Sequence, residues 1–477
     1  MAGKKAMMGH RVRRFRQDLG LNQSELADQL GISPSYLNLI EHNQRPVTVP
    51  LLFRLGETFD VDLRQFAEDD EARHAAGLQE VFSDPLFDGN APGRQDIREL
   101  AAASPAASQA VIALYSAYRA MRDDLQSLAR DADGAPGQVG GRGNPLEEVR
   151  EFQESRGNHF PAIEAAAEAM AGEADLDPDD LYGGLVRYLR SNLGIGVTVM
   201  PVDVLQDTMR RFDRHQSRIL LSEALTPSGR IFHLAAQIAL LSQRGPIDGI
   251  ASEAGFVNDE SAGLLRLGLA NTFAGAVMMP YDRFLGAARE LRYDVEILRR
   301  RFGVSFEQAA HRLTTLQRQG SRGVPFFFVR VDTAGNVSKR LSGGGFQFGR
   351  FGGACPRWIV HDVFCNPGVI HTQLAQLPDG GAFLTIARTV QPVDAGWRAG
   401  PRPLLAVGFG CDVKDARHLV YGDGVDLASP KAAVPIGVSC RMCDRLDCNQ
   451  RAHPPMNHRL RVEEHIRRLR PYAFAPL

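Results

Sequence analysis

The sequence predicts a multidomain chain. An all-α helix-turn-helix bundle comes first, then an α+β domain, then a second α+β domain that is Cys-rich. Three observations carry this. Two apolar-spaced helical runs flank Gly31 near the N-terminus. A Gly/Pro stretch, Asp133–Pro145, interrupts the chain. From about Pro325 strand-like runs replace helical ones, and all 6 cysteines lie beyond that point. The 477 residues suffice for about two to four domains.

The first domain spans about residues 8–68. Leu26, Ala27 and Leu30 make an apolar stripe, and Gly31 can take the positive φ that ends a helix. Ser33 then offers an N-cap, Pro34 suits the first helical position, and Leu37 and Ile40 resume the spacing. Helix, tight turn and helix within about 20 residues make a DNA-binding pattern. Double-stranded DNA is therefore the expected partner. The formal net charge is −1, so affinity for phosphates must be local. Lys4, Lys5, Arg11, Arg13, Arg14 and Arg16 supply it. The candidate contacts are Arg14 and Arg45, Gln23 on the backbone, and Ser33, Ser35, Tyr36 and Asn38 at base edges. The segment from Leu21 to Leu63 resembles the Xre/lambda-repressor class.

Residues 69–146 read as a connector. Within it Val111, Leu114, Tyr118, Met121, Leu125 and Leu128 recur at helical spacing, predicting one long amphipathic helix over 105–131. Its stripe could pack on its own domain or on a second copy, and the second is preferred because helix-turn-helix regulators read two half-sites. A homodimer is expected.

Residues 147–320 form the middle domain. Phe160, Ile163, Ala166, Ala167 and Met170 share a helical face. Strands are predicted at Ile195–Met200 and Ile219–Leu221. Helices are predicted at about 229–243 and 258–275, with one long helical segment from 281 to 318. Arg230–Leu240 and Leu269–Pro280 resemble the ImmA/IrrE metallopeptidase-like family. The resemblance implies HExxH in the first segment, two His holding zinc and a Glu as general base, with an acidic third ligand from the second. This chain keeps His233 but has Leu234 for the base and Gln237 for the second His, and Leu267 and Leu269 stand near the acidic position. One imidazole and one amide cannot hold a catalytic zinc, so the domain is not expected to be an enzyme. A cleft remains for a ligand, and Arg210, Arg211 and Arg218 are candidate phosphate partners.

Residues 321–477 form the third domain, with strands expected in the runs PFFFVRVD, FLTIARTV and LLAVGFGC. Cys440, Cys443 and Cys448 give C-x2-C-x4-C, followed by His453. They could make a Cys3His zinc site, or a 4Fe-4S cluster completed by the glycine-flanked Cys355 or Cys411. Cys365 reads as a plain buried thiol.

The bundle, the degenerate peptidase-like domain and the C-terminal strings GGACPRW, LPDGGAFLTIARTV, LVYGDGVDL and CRMCDRLDCNQRAHPP together resemble the short-chain fatty acyl transcriptional regulator family. The resemblance implies a cytoplasmic transcription factor sensing a short-chain acyl-CoA and, in some members, an iron–sulfur cluster on C-terminal cysteines. The CoA phosphates are assigned to Arg210, Arg211 or Arg218, and the acyl and pantetheine parts to Phe160, Phe273 and Tyr281. Two alternatives stand beside it. One is a redox or metal sensor using the cysteines; the other is a regulatory zinc peptidase fused to a repressor. No apolar run of about 18 residues predicts a membrane span, and no signal peptide is read at the N-terminus.

Overall fold

The computed structural model describes residues 9–130 and 145–474, apart from 19, 42–43, 46, 49–50, 52–53, 56–57, 60–68, 88–90, 206, 257, 347, 349–354, 392–402, 428, 430–431, 442, 456–457 and 467. The chain forms two compact units, Met1–Tyr115 and Ser116–Leu477.

The first unit opens with α1 (Gly9–Asp18), α2 (Gln23–Gln29) and α3 (Pro34–Glu41). Asn22 caps α2 in a capping box with Glu25. Gly31, at φ +61, turns the chain into α3. Leu26, Ala27, Leu30, Leu37 and Ile40 bury completely with Val12 and Leu55. The predicted periodicity is therefore the actual core.

The stretch read as a connector is packed helix: α4 (Asp69–Phe82), α5 (Arg94–Ala103) and α6 (Pro105–Arg130). Gly77 of α4 is a close-approach site, since a Cβ there would lie 2.6 Å from Ile112 of α6. The Tyr115 hydroxyl donates to buried Asp84 at 2.6 Å. The packed face of α6 is thus Ser108, Ile112 and Tyr115. The predicted stripe lies beside it: Val111 is half-buried and Leu114 is 73% exposed. The side chains of Met121, Leu125 and Leu128 fall outside the described set.

In the second unit, α7 (Pro145–Ser155), α8 (Pro161–Glu173) and α9 (Leu181–Leu193) lead into a three-stranded sheet. Strands β1 (Gly196–Met200), β2 (Arg210–Asp213) and β3 (Arg218–Ser222) lie in the order β1-β3-β2, with β1 and β3 parallel and β2 antiparallel to β3. Helices α10 (Pro227–Ser242), α11 (Arg244–Glu253) and α12 (Asp259–Met278) complete this core.

The long helix expected over 281–318 is three: α13 (Tyr281–Glu290), α14 (Val295–Arg301) and α15 (Phe306–Thr314). Arg292 and Tyr293 take φ +49 and +61, and Gly303 takes φ +62, each stopping a helix. Asp294 restarts the chain by accepting from the amides of Glu296 and Ile297. Ser305 does so through a capping box with Gln308.

The final sheet has six strands. These are β4 (Phe327–Asp332), β5 (Val337–Leu341), β6 (His371–Gln376), β7 (Ala382–Val390), β8 (Leu405–Asp412) and β9 (Val434–Pro435), in the order β5-β4-β8-β7-β6-β9. Its pairs are antiparallel except β6 with β9. One face presents Phe328, Leu384, Ile386, Val407 and Phe409, which share a core with α13, α14 and α15. The other presents Phe327, Val329, Phe383 and Ala406, packed with Phe346 and Trp358. Helices assigned from sequence to the middle domain therefore cover the C-terminal sheet, and residue 320 is not a boundary between separate cores.

No single helix among the described residues is long and apolar enough to cross a membrane.

Candidate functional site

The candidate DNA surface is the start of α3. Ser33 caps it, its hydroxyl accepting from the Tyr36 amide at 3.2 Å. Ser33, Ser35 and Asn38 are exposed, as is Arg45 beyond the helix. Tyr36 is only partly available, since its ring packs against the bundle core. Arg14 lies on α1, but its side chain is outside the described residues.

A buried polar network sets this helix. Arg16 donates to both carboxylate oxygens of Glu41, at 2.7 and 3.1 Å, and to the Leu21 carbonyl. Gln23 donates to Glu41 at 2.7 Å and to Asn38 at 3.2 Å. Burial pushes the Glu41 carboxyl up, but the Arg16 and Gln23 hydrogen bonds outweigh it and leave it below the usual range. Gln23, read as a backbone contact, is therefore tied to α3, where it orients Asn38.

In the middle domain His233 and Gln237 lie on α10 with Leu234, which is wholly buried. The position of the general base has become core. The His233 carbonyl accepts from the Arg210 guanidinium at 2.9 Å. Burial first, then the Arg210 charge, pushes the His233 imidazole down to about 4, so it is neutral at pH 7.

The proposed effector residues do not converge. Arg210 pairs with Leu221 across the sheet, on its covered face; Arg211 pairs with Leu220, placing it with Arg218 on the opposite face. Arg211 and Arg218 are exposed, whereas Arg210 is half-buried and burial lowers its pKa. Phe160 stacks on Phe152, and Phe273 is fully buried in the same core. Tyr281 is fully buried in the other core, where its hydroxyl donates to the Ser321 carbonyl and accepts from the Arg318 amide. These three aromatics are packing residues, a correction to their reading as cleft walls. Large apolar side chains at helical spacing fit both roles, and burial decides between them. An open cleft of about 340 Å³ is lined by Leu240, Arg244, Ile247, Asp248 and Arg266, none of them foreseen.

The cysteines divide by face. Cys411, on β8, points into the helix-covered core, where burial drives its thiol far up. Cys355 lies in the opposite core; burial, then the nearby Cys440 and Cys443 thiols, raise its pKa. Cys411 therefore cannot complete a site with the C-x2-C-x4-C loop, which corrects that candidate. Cys365 is exposed, not buried. Arg451 fixes the loop, donating to the carbonyls of Cys440, Cys443 and Arg445. His453 is exposed. Among the described residues no three His, Cys, Asp or Glu side chains are grouped to hold a metal.

Three family models match successive parts of the chain. The family described as "Short-chain fatty acyl coenzyme A regulator, C-terminal" matches residues 315–472. The IrrE N-terminal-like domain matches 190–314, and a helix-turn-helix family matches 12–66. The chain is 41% identical to the HTH-type transcriptional regulator PrpR of Mycobacterium tuberculosis, over 98% of this chain and 95% of that protein. It is 41% identical to RamB of the same organism, over 99% and 100%. It is also 41% identical to the propionyl-CoA carboxylase regulator of Cereibacter sphaeroides, over 98% and 99%. A solved Mycobacterium tuberculosis transcriptional regulator, 42% identical, superposes with a TM-score of 0.66, covering 69% of this chain and 99% of that one.

Proposed function

Since the chain belongs to the short-chain fatty acyl coenzyme A regulators, helix-turn-helix transcription factors with a peptidase-like middle domain, we propose that it switches operator binding in response to a short-chain acyl-CoA. It is a DNA-binding transcriptional regulator of short-chain acyl-CoA metabolism, in line with its relatives, and its degenerate peptidase motif is not catalytic machinery. On this reading it works in the cytoplasm as a homodimer, its two α3 helices reading two half-sites.

One observation supports the effector reading above the others. Arg210 is half-buried, and its one described hydrogen bond goes to a neutral carbonyl. A guanidinium so placed keeps donors for an anion, and CoA carries phosphates. Arg210 is therefore the first phosphate partner to test; Arg211 and Arg218 could serve only a ligand on the opposite face. Ligand binding must differ between two arrangements of the protein to alter DNA affinity.

The test is a gel shift on DNA upstream of acyl-CoA metabolism genes, titrated with acetyl-, propionyl- and butyryl-CoA, with free CoA as control. A shift that responds to one acyl-CoA supports the reading. Indifference to all of them refutes it. A second reading makes the cysteine loop the input, favoured by Cys355 lying near Cys440 and Cys443. Iron and zinc analysis of the purified protein, with its visible absorbance, tests that directly.

A further inference from the structure

Lysine is rare in this chain. Its 55 lysines and arginines include five lysines: Lys4, Lys5, Lys339, Lys414 and Lys431. Lys339 stands where an arginine would be the ordinary choice. It lies on β5, and its ammonium rests over the Phe328 ring of β4, 5.6 Å from the ring centre. Such cation–π positions are more often filled by arginine. Lys339 is also directly across the sheet from Arg330, a register in which like charges repel. Arg330 has relief, since it donates to Glu307 of α15 at 2.8 Å and to the Ser338 hydroxyl at 3.0 Å. Lys339 has none: among the described residues no hydrogen bond or ion pair reaches its half-buried side chain.

The neighbours on α15 supply no free counter-charge. The His311 imidazole packs edge-on to the same Phe328 ring, 5.8 Å between centres. Burial first, then the charges of Lys339, Arg312 and Arg330, keeps it neutral. Arg312 is itself tied to Glu164. Burial pushes the Lys339 ammonium below the ordinary lysine range; Glu307 opposes this and Arg330 assists it. An amine that sheds its proton is a nucleophile, which a guanidinium never becomes in a protein. We propose that Lys339 is a covalent acylation site for short-chain acyl thioesters. Its nitrogen bonds the thioester carbonyl carbon, the C–S bond breaks, and the thiolate takes up the amine proton and leaves as free thiol. The resulting amide carries no charge to set against Arg330, so the repulsion across the strands is relieved. The donor class is the one whose metabolism the family governs. The reaction needs no effector site, so it stands apart from the Arg210 reading.

Timed labelling of the native full-length protein tests it. The probes are propionyl-CoA and a small donor, the propionyl thioester of N-acetylcysteamine, and peptide mass spectrometry reads each lysine. Lys414 is the internal comparison, its side chain 70% exposed and paired with Asp412 at 3.3 Å. Lys339 should gain the acyl group about tenfold faster than Lys414 at pH 7, the gain in free amine that one unit of pKa brings. Lys339→Arg, which keeps the cation, should abolish the fast phase of mass gain in the intact protein. Fast labelling of Lys339 by the small thioester alone supports the site and restricts it to donors smaller than CoA. Labelling of Lys339 no faster than Lys414 with both donors overturns the proposal. Labelling that begins only in urea also overturns it, and makes Lys339 a packing residue.

Discussion

Arg312 of α15 and Glu164 of α8 form a two-pronged ion pair, each side chain 2% exposed. Arg312 also donates to the Met279 carbonyl and to Thr315, so most of its donors are held inside the protein. The pair ties the first helices of the middle domain to the helices that cover the C-terminal sheet. Removing one partner strands a charge without water. Glu164→Gln or Arg312→Met should each cost roughly 3–5 kcal/mol, read as a lower urea midpoint. The double variant should cost less than the sum of the two; strict additivity would show that the pair is not coupled.

Glu41 should make the helix-turn-helix acid-sensitive. Its folded carboxyl titrates below the ordinary value of about 4.3, so the Arg16 and Gln23 contacts contribute stability above that value. The contribution fades as pH falls below it and is gone beneath the lowered folded value. Amide exchange in α1–α3, corrected for intrinsic rates, should accelerate over that window. Glu41→Gln should flatten the dependence, at a cost of roughly 3 kcal/mol at pH 7.

At the DNA surface, base reading and phosphate binding should separate. Ser35→Ala or Asn38→Ala should relax preference at particular operator positions by about 1–3 kcal/mol. Arg45→Ala should weaken all sequences alike and reduce the salt slope by about one. A uniform loss from Asn38→Ala in a binding-site selection would contradict its assignment to base edges.

Arg210→Gln should abolish the response to acyl-CoA while leaving the operator affinity of the free protein unchanged. Arg211→Glu, on the opposite face, should leave the response intact. Isothermal titration with acyl-CoA and a parallel gel shift read the two quantities. The reverse pattern would move the phosphates to the outer face of the sheet.

Thiol chemistry should follow burial. Cys365 is exposed and should react promptly with a disulfide reagent in the native protein. Cys411 is fully buried, and burial holds its thiol protonated, so it should react only on unfolding. Mass spectrometry after timed labelling distinguishes them.

The bundle was legible because its signals are local. Leu26, Leu30, Leu37 and Ile40 are spaced by the helix itself, and Gly31 marks the turn. The strands around Phe328, Ile386 and Val407 were legible as apolar runs. The polar strands β5 and β6 were not, because VSKRL and HTQLAQ have too few apolar residues to announce a buried face. The breaks inside 281–318 left signals that apolar spacing hid: Asp294 and the Ser305–Gln308 box are N-caps readable in the sequence. The effector aromatics failed for a different reason. Phe160, Phe273 and Tyr281 have the composition of a pocket wall, and only tertiary packing shows them closed. Gln23 was placed at the right helix end, but its bonds to Asn38 and Glu41 span 15 and 18 residues.

The shared core of α13–α15 and the six-stranded sheet decides how the chain can be cut. The junction at residues 314 and 315, where two recognised families meet, runs through that core rather than between two of them. A plasmid encoding either side alone would strip Phe328, Leu384 and Phe409, or Phe284, Leu298 and Leu313, of their cover, and its product should precipitate. By the same logic a soluble truncation should keep both parts on one chain, with any cut placed outside residues 281–412.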